Sequence, residues 1–514
     1  MDVFLQLLLT KASLMLRYGV SGVAGIVANL IVFSVAVILF GMWYMYATLI
    51  GFLAAYVTTF TLHKYWTFEQ QNKDTLLAQS LLYLTSALGV LVVNMVLLYC
   101  LVQFFSIASV LAQGISVCIS AGVSFLFTSR VTFNKNEHRL QILNEMLLRG
   151  WRSATAHFPF VALLVVMALG VSFVRIYYMP LSYTTDAIGY VATADFLLEK
   201  PEAVFYGERL IKPLAPAVIA LLSFLGMSTV DALLFQAVFL YVVLGITSYA
   251  FGWVLFRDKT QAFLTSFFVL FSYPMVRYGL DYYTETGAWA LYFASLAGIV
   301  LWYQRPLPRI LWFVALTILL GILWKEYSFL VGLALGLVIL FHAGLSLKSK
   351  AYAILQCIFV IVIPWLLWQY YVYTSFGYTY VDWLIIGTNP DAYHSEYSLL
   401  SVGKSLFVLL LGYWLFVVYG LMQWRTIPTL VKSYTYFLLV PSCGFLLWGY
   451  VSSRLFFSLV PLVVPLAVVG VVAITHKRLR WLLVVGLGVF HAMLLYISFG
   501  SNMRAIINYI TYGS

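Results

Sequence analysis

Runs of about twenty mainly apolar residues recur along this sequence, and a helix of that length is what crosses the roughly 30 Å hydrocarbon core of a bilayer. The first, Tyr18 to Phe40, follows Lys11 and Arg17. Further runs fall at about 47 to 63, 79 to 105, 108 to 128, 155 to 175, 231 to 256, 260 to 275, 287 to 303, 310 to 324, 327 to 345, 353 to 372, 404 to 424, 434 to 451, 455 to 475 and 481 to 499. Inside lipid each backbone N–H and C=O must be satisfied within the protein, so runs of this length predict an all-α polytopic membrane protein. Composition agrees: 63% of the 514 residues are hydrophobic and only 9% are charged, whereas a soluble domain carries about 25% charged residues. A soluble enzyme, a nucleic-acid module and a secreted disulfide scaffold are thereby excluded, despite a net charge of +11. Cys100, Cys118, Cys357 and Cys443 all lie inside apolar runs and read as small packing residues.

No signal-type cleavage site accompanies the first run, so the amino terminus reads as cytoplasmic. The stretch from Ile211 to Met227 is short and holds Pro213 and Pro216. If it dips in and returns, the basic residues flanking later spans, from Arg257 and Lys259 through to Arg478 and Arg480, fall on the cytoplasmic side, where Lys and Arg accumulate. A re-entrant or interfacial segment is therefore expected, and the opposite, outer face becomes the acidic one.

The first 133 residues contain a repeat. At an offset of 65 residues Tyr18 aligns with Tyr83, Ser21 with Ser86, Asn29 with Asn94, Phe60 with Phe125, and Thr67-Phe68 with Thr132-Phe133. Each unit holds two spans, so the repeats are parallel, and repeats often build a transport pathway at their interface. Asn29 and Asn94 fall mid-span in equivalent places; they serve either as glue between helices or as a polar lining for a passing head group.

The segments RYGVSGVAGIVANL (17 to 30), FTLHKYWTF (60 to 68) and FLFTSRVTF (125 to 133) resemble the GtrA-like family of small four-helix membrane proteins. The resemblance covers residues 10 to 135 and implies handling or translocation of polyprenyl-phosphate sugars, with self-association through this module. Lys64 and Arg130, near the cytoplasmic ends of the second and fourth spans, would suit a lipid phosphate, or act as ordinary positive-inside anchors. A basic linker, residues 135 to 154, has the composition of a short amphipathic surface helix. The expected division is 1 to 134, 135 to 154, and a larger module from 155 to 514.

The chemistry-bearing residues of the larger module collect on the outer side. Its first outer loop, 176 to 212, contains Tyr183, Asp186, Tyr190, Asp195, Glu199, Glu202, Tyr206, Glu208, Arg209 and Lys212. In TTDAIGYVATADFLLEK, Thr185 as N-cap and the spacing of Ile188, Val191, Ala192 and Phe196 predict an interfacial helix with Asp186 in its first turn. A carboxylate there also simply favours the helix dipole. Other spans bring Arg277, Asp281, Glu285, Lys325, Glu326 and Arg454 to the same depth, and ionisable residues at a membrane boundary mark a functional site. The bland alternatives are a structural Lys325–Glu326 ion pair and an Arg454 that snorkels to the interface. Tyr378, Tyr380, Trp383, Tyr393, His394, Glu396 and Tyr397 in a later outer loop suit sugar stacking or the interfacial aromatic belt.

This layout resembles the GT-C class of integral membrane glycosyltransferases over residues 155 to about 480. The residues that carry the likeness are the acid in the first large outer loop, the Pro-bearing helix KPLAPAV, the later acids Asp281 and Glu285, the Lys325-Glu326 pair and the late Arg454. The resemblance implies a module of about eleven transmembrane helices with outer-face interfacial helices. The chain lacks the WWD-type motif of the oligosaccharyltransferase branch and has a lone Asp186 where the mannosyltransferase branch has an Asp-Glu pair. Acceptor and metal requirement stay open.

On this reading the donor is a sugar on polyprenyl phosphate. Arg454 and Lys325, with Arg277, would hold its phosphate. Asp186 would act as general base toward the acceptor hydroxyl, giving inversion. Asp281 or Glu285 would orient the acceptor or bind a divalent cation, Mg or Mn, through oxygen. Glu326 completes the set. The partners implied are the lipid-linked sugar, an envelope glycan or lipid acceptor and a separate cytoplasmic-facing synthase; the location implied is the bacterial inner membrane with an extracytoplasmic active site. The rival reading is a non-catalytic flippase or transporter, which predicts ionisable groups spread through the membrane midplane; a nonenzymatic assembly subunit is a third.

Overall fold

In a computed structural model of the chain, the structure describes residues 2–38, 44–69, 137–179, 183–200, 207–388, 399–447 and 454–490, with isolated positions between 76 and 128 and at 181 and 493. Every regular element among the described residues is helical, and six helical segments are long and apolar enough to cross a membrane. The protein is a multi-pass membrane protein. It divides into two compact units, Met1–Ala156 and His157–Ser514.

In the first unit, α1 (Asp2–Ile38) packs along α2 (Tyr44–Leu62). A Cβ on Gly25 would lie 2.2 Å from Thr59 Cγ2, and one on Gly51 would lie 3.1 Å from Asn29 Oδ1. Missing side chains at such points let backbones approach, which is how helices associate where lipid removes the hydrophobic drive. Asn29 thus packs on the floor made by Gly51. Helix α2 ends in a π-turn, His63–Thr67, a deformation that often accompanies function. Asn94 and Arg130 lie outside the described residues, as do Cys100 and Cys118.

The boundary between the units falls within α3 (Glu137–Tyr178). The second unit continues with α4 (Thr185–Leu197), the single turn α5 (Gly207–Leu210) and α6 (Leu214–Phe224). With 11 residues, α6 is about 17 Å long, roughly half of what a crossing requires. By length alone the proline-bearing helix falls short of a crossing. Thr184, rather than Thr185, flanks α4, in extended conformation and without a side-chain cap bond.

Next come α7 (Thr229–Phe256), capped by Ser228, and α8 (Lys259–Leu270), capped by Asp258. Serine and aspartate oxygens there accept the amide protons that a helix start leaves unpaired. Residues 260 to 275 do not form one span: α8 stops before Pro274 and a π-turn, Met275–Gly279, carries Arg277, because proline supplies no N–H to continue the ladder. Helices α9 (Glu285–Gln304), α10 (Pro308–Trp324) and α11 (Ser328–Phe341) follow. Hydroxyl pairs bond these helices across their faces: Ser248 to Ser266 at 3.1 Å and Ser295 to Thr317 at 2.9 Å.

A long span runs as α12 (Leu347–Cys357), a π-turn (Ile358–Val362) and α13 (Ile363–Phe376), and α14 (Tyr380–Thr388) lies beyond it. Helices α15 (Leu399–Leu410), α16 (Trp414–Met422), α17 (Thr429–Ser442) and α18 (Val460–Ala473) complete the described set together with residues 477–490. Helices α16 and α18 touch through glycine: a Cβ on Gly420 would lie 2.0 Å from Leu466 O and one on Gly470 2.0 Å from Phe416 O. The buried core around Trp289, Tyr292, Phe293, Phe456 and Phe457 lies among α7, α9, α11, α17 and α18, with Trp289 one turn along α9 from Glu285 and stacked on Tyr327.

Candidate functional site

Asp186 is presented by the first turn of α4. Its two oxygens are taken by two arginines from distant parts of the chain: Arg209 Nη2 donates to Oδ1 at 2.5 Å and Arg454 Nη1 to Oδ2 at 2.9 Å. Arg209 reaches it because residue 189, one turn along α4, is glycine; a Cβ there would lie 3.0 Å from Arg209 Nε. The Arg209 guanidinium also lies 4.8 Å from the Tyr190 ring centre, and Arg454 lies 5.3 Å from that of Tyr283.

Arg454 links onward to Glu285, the first residue of α9, whose Oε1 is 3.5 Å away and accepts from Lys325 Nζ at 2.6 Å. Lys325 occupies the turn between α10 and α11. Its neighbour Glu326 points elsewhere and pairs with Lys212 at 2.8 Å, and the Lys212 ammonium lies 3.9 Å from the centre of the Trp383 ring. The adjacent lysine and glutamate are thus two separate ion pairs made with other elements, not one pair with each other.

Arg209, Asp186, Arg454, Glu285 and Lys325 form a continuous chain of alternating charge. Glu208 also lies 3.8 Å from Arg209, so the three cations face three carboxylates, and Lys212 and Glu326 likewise cancel. Asp186, with 29% of its side chain exposed, and Arg454, with 17%, are the open end; Glu285 is fully enclosed. Burial by itself would push the Asp186 carboxyl up, but the charges of Arg209, Arg454 and Lys325 outweigh it and hold the group far below the ordinary carboxylate range. At neutral pH Asp186 is ionised and, with both arginines in place, weakly basic.

The other sequence-selected residues form a second cluster. Asp281 does not face an open site: it is 2% exposed, accepts from Arg175 Nη2 at 2.8 Å, and also accepts from the Tyr282 amide. Arg277 donates to the Tyr273 hydroxyl and lies against the Tyr273 and Tyr278 rings. Glu285 and Asp281, the candidate divalent-cation ligands, are both engaged by cations. Among the described residues no three His, Cys, Asp or Glu side chains lie close enough to hold a metal. The donor set does not fit a metal centre.

Three of these contacts were not assigned from sequence. Arg175 lies at the end of an apolar span, where it looks like an interfacial anchor; its depth, 1% exposed, reveals its role. Arg209 and Lys212 stand in the first loop of the second unit, but nothing in a linear reading says which loop cations turn inward.

Within the first unit, Lys64 is fully buried and donates to Gln79 Oε1 at 2.5 Å. The Tyr18 ring stacks on His63 with centres 4.2 Å apart, its hydroxyl is 2.8 Å from Ser124 Oγ, and Ser21 bonds to Thr67 at 3.0 Å. The end of α2 therefore closes on an interior of hydroxyls and rings.

Residues 17–133 match the family model of the GtrA/DPMS transmembrane domain. The chain thus carries such a domain at its amino-terminal end, which suggests a role in flipping or handling a lipid-linked sugar. No curated protein matches the chain.

Proposed function

We propose that the second unit is an inverting membrane glycosyltransferase of the GT-C class, built on about eleven spans. It transfers a sugar from polyprenyl phosphate to an envelope glycan or lipid on the outer face of the bacterial inner membrane. The first unit, a four-helix tandem repeat, brings the loaded lipid across, and a separate synthase loads it on the cytoplasmic side. Joining the two units raises the effective concentration of delivered donor.

The observation that carries this reading is the convergence of Asp186, Arg209, Glu285, Lys325 and Arg454 from five separate elements into one network that opens at Asp186 and Arg454. A phosphodiester donor carries one negative charge and would compete with Asp186 for the two arginines that hold it. Its phosphate would take the hydrogen bonds of Arg454 and Arg209, and charge-assisted bonds to phosphate are among the strongest available. Drawing these cations from Asp186 raises the basicity of the carboxylate where an acceptor hydroxyl must lose its proton. The acceptor oxygen then bonds to the anomeric carbon as the carbon–oxygen bond to phosphate breaks. The proton passes to Asp186, and the electron pair leaves on polyprenyl phosphate. Arg454 and Lys325 stabilise the charge that grows on this leaving group, which needs no protonation.

Replacing Asp186 with Asn in proteoliposomes supplied with labelled polyprenyl-phosphate sugar and a crude envelope acceptor tests this. Loss of a positioned base lowers transfer by about 10²–10⁴-fold, while translocation of the donor continues. Unchanged transfer in Asp186→Asn would overturn the assignment; translocation with no transfer in the unmodified protein would favour the flippase reading.

A further inference from the structure

A groove of about 360 Å³ runs along α11 in the second unit, facing α12, the π-turn and α13. Its lining, including Phe329, Gly332, Gly336, Ile339, Ile358 and Trp365, is apolar. Gly336 forms part of its floor: a Cβ there would meet nothing within 4 Å. From Phe329 to Ile339 the groove follows α11 for about 15 Å, or half the hydrocarbon thickness of about 30 Å. That is the depth of one leaflet.

One end, at Phe329, lies two residues beyond the Lys325–Tyr327 turn. There Phe329 and Trp365 meet Tyr380, with ring centres 5.7 and 5.9 Å away, and Tyr380 in turn meets Trp383 at 5.2 Å. Trp383 carries the Lys212 ammonium on its face. The Trp365 Nε1 and Tyr380 Oη atoms at this end are buried and have no hydrogen-bond partner among the described residues, a condition that native proteins relieve with a bound polar group or water.

We infer that this groove holds the isoprenoid tail of the lipid donor, with the Trp365–Tyr380 end directing the attached phosphate toward the cationic network. This rests on the glycosyltransferase reading and locates its donor. A phosphate joined directly to one chain matches a single groove whose end lies near Lys325 and the Lys212–Glu326 pair; a diacylglycerol lipid would place a glycerol and a second chain at that point. In a bilayer the tail is already out of water, so the groove gains by packing and shape rather than by hydrophobic burial.

The test uses the full chain in nanodiscs and two light-activated probes, polyprenyl monophosphate with a diazirine in its chain and phosphatidylglycerol with the same group. The polyprenyl probe is expected to label residues 329–339 and 354–365, and unlabelled polyprenyl monophosphate should compete. Gly336→Phe, whose Cβ would meet nothing within 4 Å and whose ring would occupy the groove, should reduce that labelling about tenfold, the scale of a lost packing contact, with unchanged elution on size exclusion. Labelling confined to other segments, equal labelling by phosphatidylglycerol, or a folded Gly336→Phe that labels like the parent would overturn the inference. The label map of the parent protein decides the matter if the variant fails to fold. Because labelling needs no turnover, a groove that binds the probe in a protein lacking transfer would sink the enzyme reading and leave the groove standing.

Discussion

Glu285 offers a quantitative check on the charged network, because it is fully enclosed between Lys325 at 2.6 Å and Arg454 at 3.5 Å. Glu285→Gln preserves shape and removes the charge, leaving a lysine side chain only 6% exposed beside an arginine with no anion between them. Removing one partner of a buried ion pair costs about 3–5 kcal/mol, since the remaining charge is uncompensated. Adding Lys325→Met removes that charge too, and the double variant is expected within about 1 kcal/mol of the parent, because apolar replacement of a whole buried pair is often neutral or better. Lys325→Met alone leaves Arg454 beside Glu285 and should cost less, so the implied coupling is at least about 2–4 kcal/mol, at or above the upper end for residues in contact. Reversible unfolding in mixed detergent and SDS micelles, followed by tryptophan fluorescence, reads each free energy. A Glu285→Gln loss below about 1 kcal/mol, or a double variant whose loss is the sum of the single ones, would refute the pairing.

Further expectations follow from the same geometry. Gly189→Val places methyl groups against Arg209, whose Nε lies 3.0 Å from a Cβ at that position, and should lower transfer about tenfold or more by spoiling a charge-assisted bond while elution on size exclusion stays unchanged. The depressed Asp186 carboxyl is ionised in the free protein throughout about pH 5–8, so kcat/KM should show no acid limb from this group, whereas kcat, which reports the donor-bound state with the arginines engaged elsewhere, should fall toward the acid end. The network's contribution to stability through Asp186 has the same sign: it is fully present above the carboxyl's unfolded value near 3.9 and fades as pH falls toward its depressed folded value. Gly470→Ala drives a methyl to 2.0 Å from the Phe416 carbonyl; overpacking typically costs about 1–3 kcal/mol, and more against rigid backbone, so the same unfolding assay should show a loss at or above that range.

The sequence made the helical, membrane-spanning character plain because apolar run length is a one-dimensional property. It also placed Asp186 in a helix first turn and put Lys325 and Glu326 in a turn between two apolar helices, since both follow from local pattern. Pairing was not legible. Lys325 and Glu326 are adjacent, and only the fold sends one to Glu285 and the other to Lys212. Asp281 read as an open acid because its partner, Arg175, is more than a hundred positions away, and Arg209 became visible only through the space left by Gly189. Pro274 did carry a signal for the early end of α8, but the apolar residues around it outweighed that signal in a reading by hydropathy.

The most direct test of a lipid-phosphate site is native mass spectrometry of the gently purified chain beside an Arg209→Gln/Arg454→Gln variant. The account predicts polyprenyl phosphate or its sugar ester bound to the parent and much reduced in the variant. A parent that carries phospholipid alone, or a variant that retains the polyprenyl lipid in full, would contradict it.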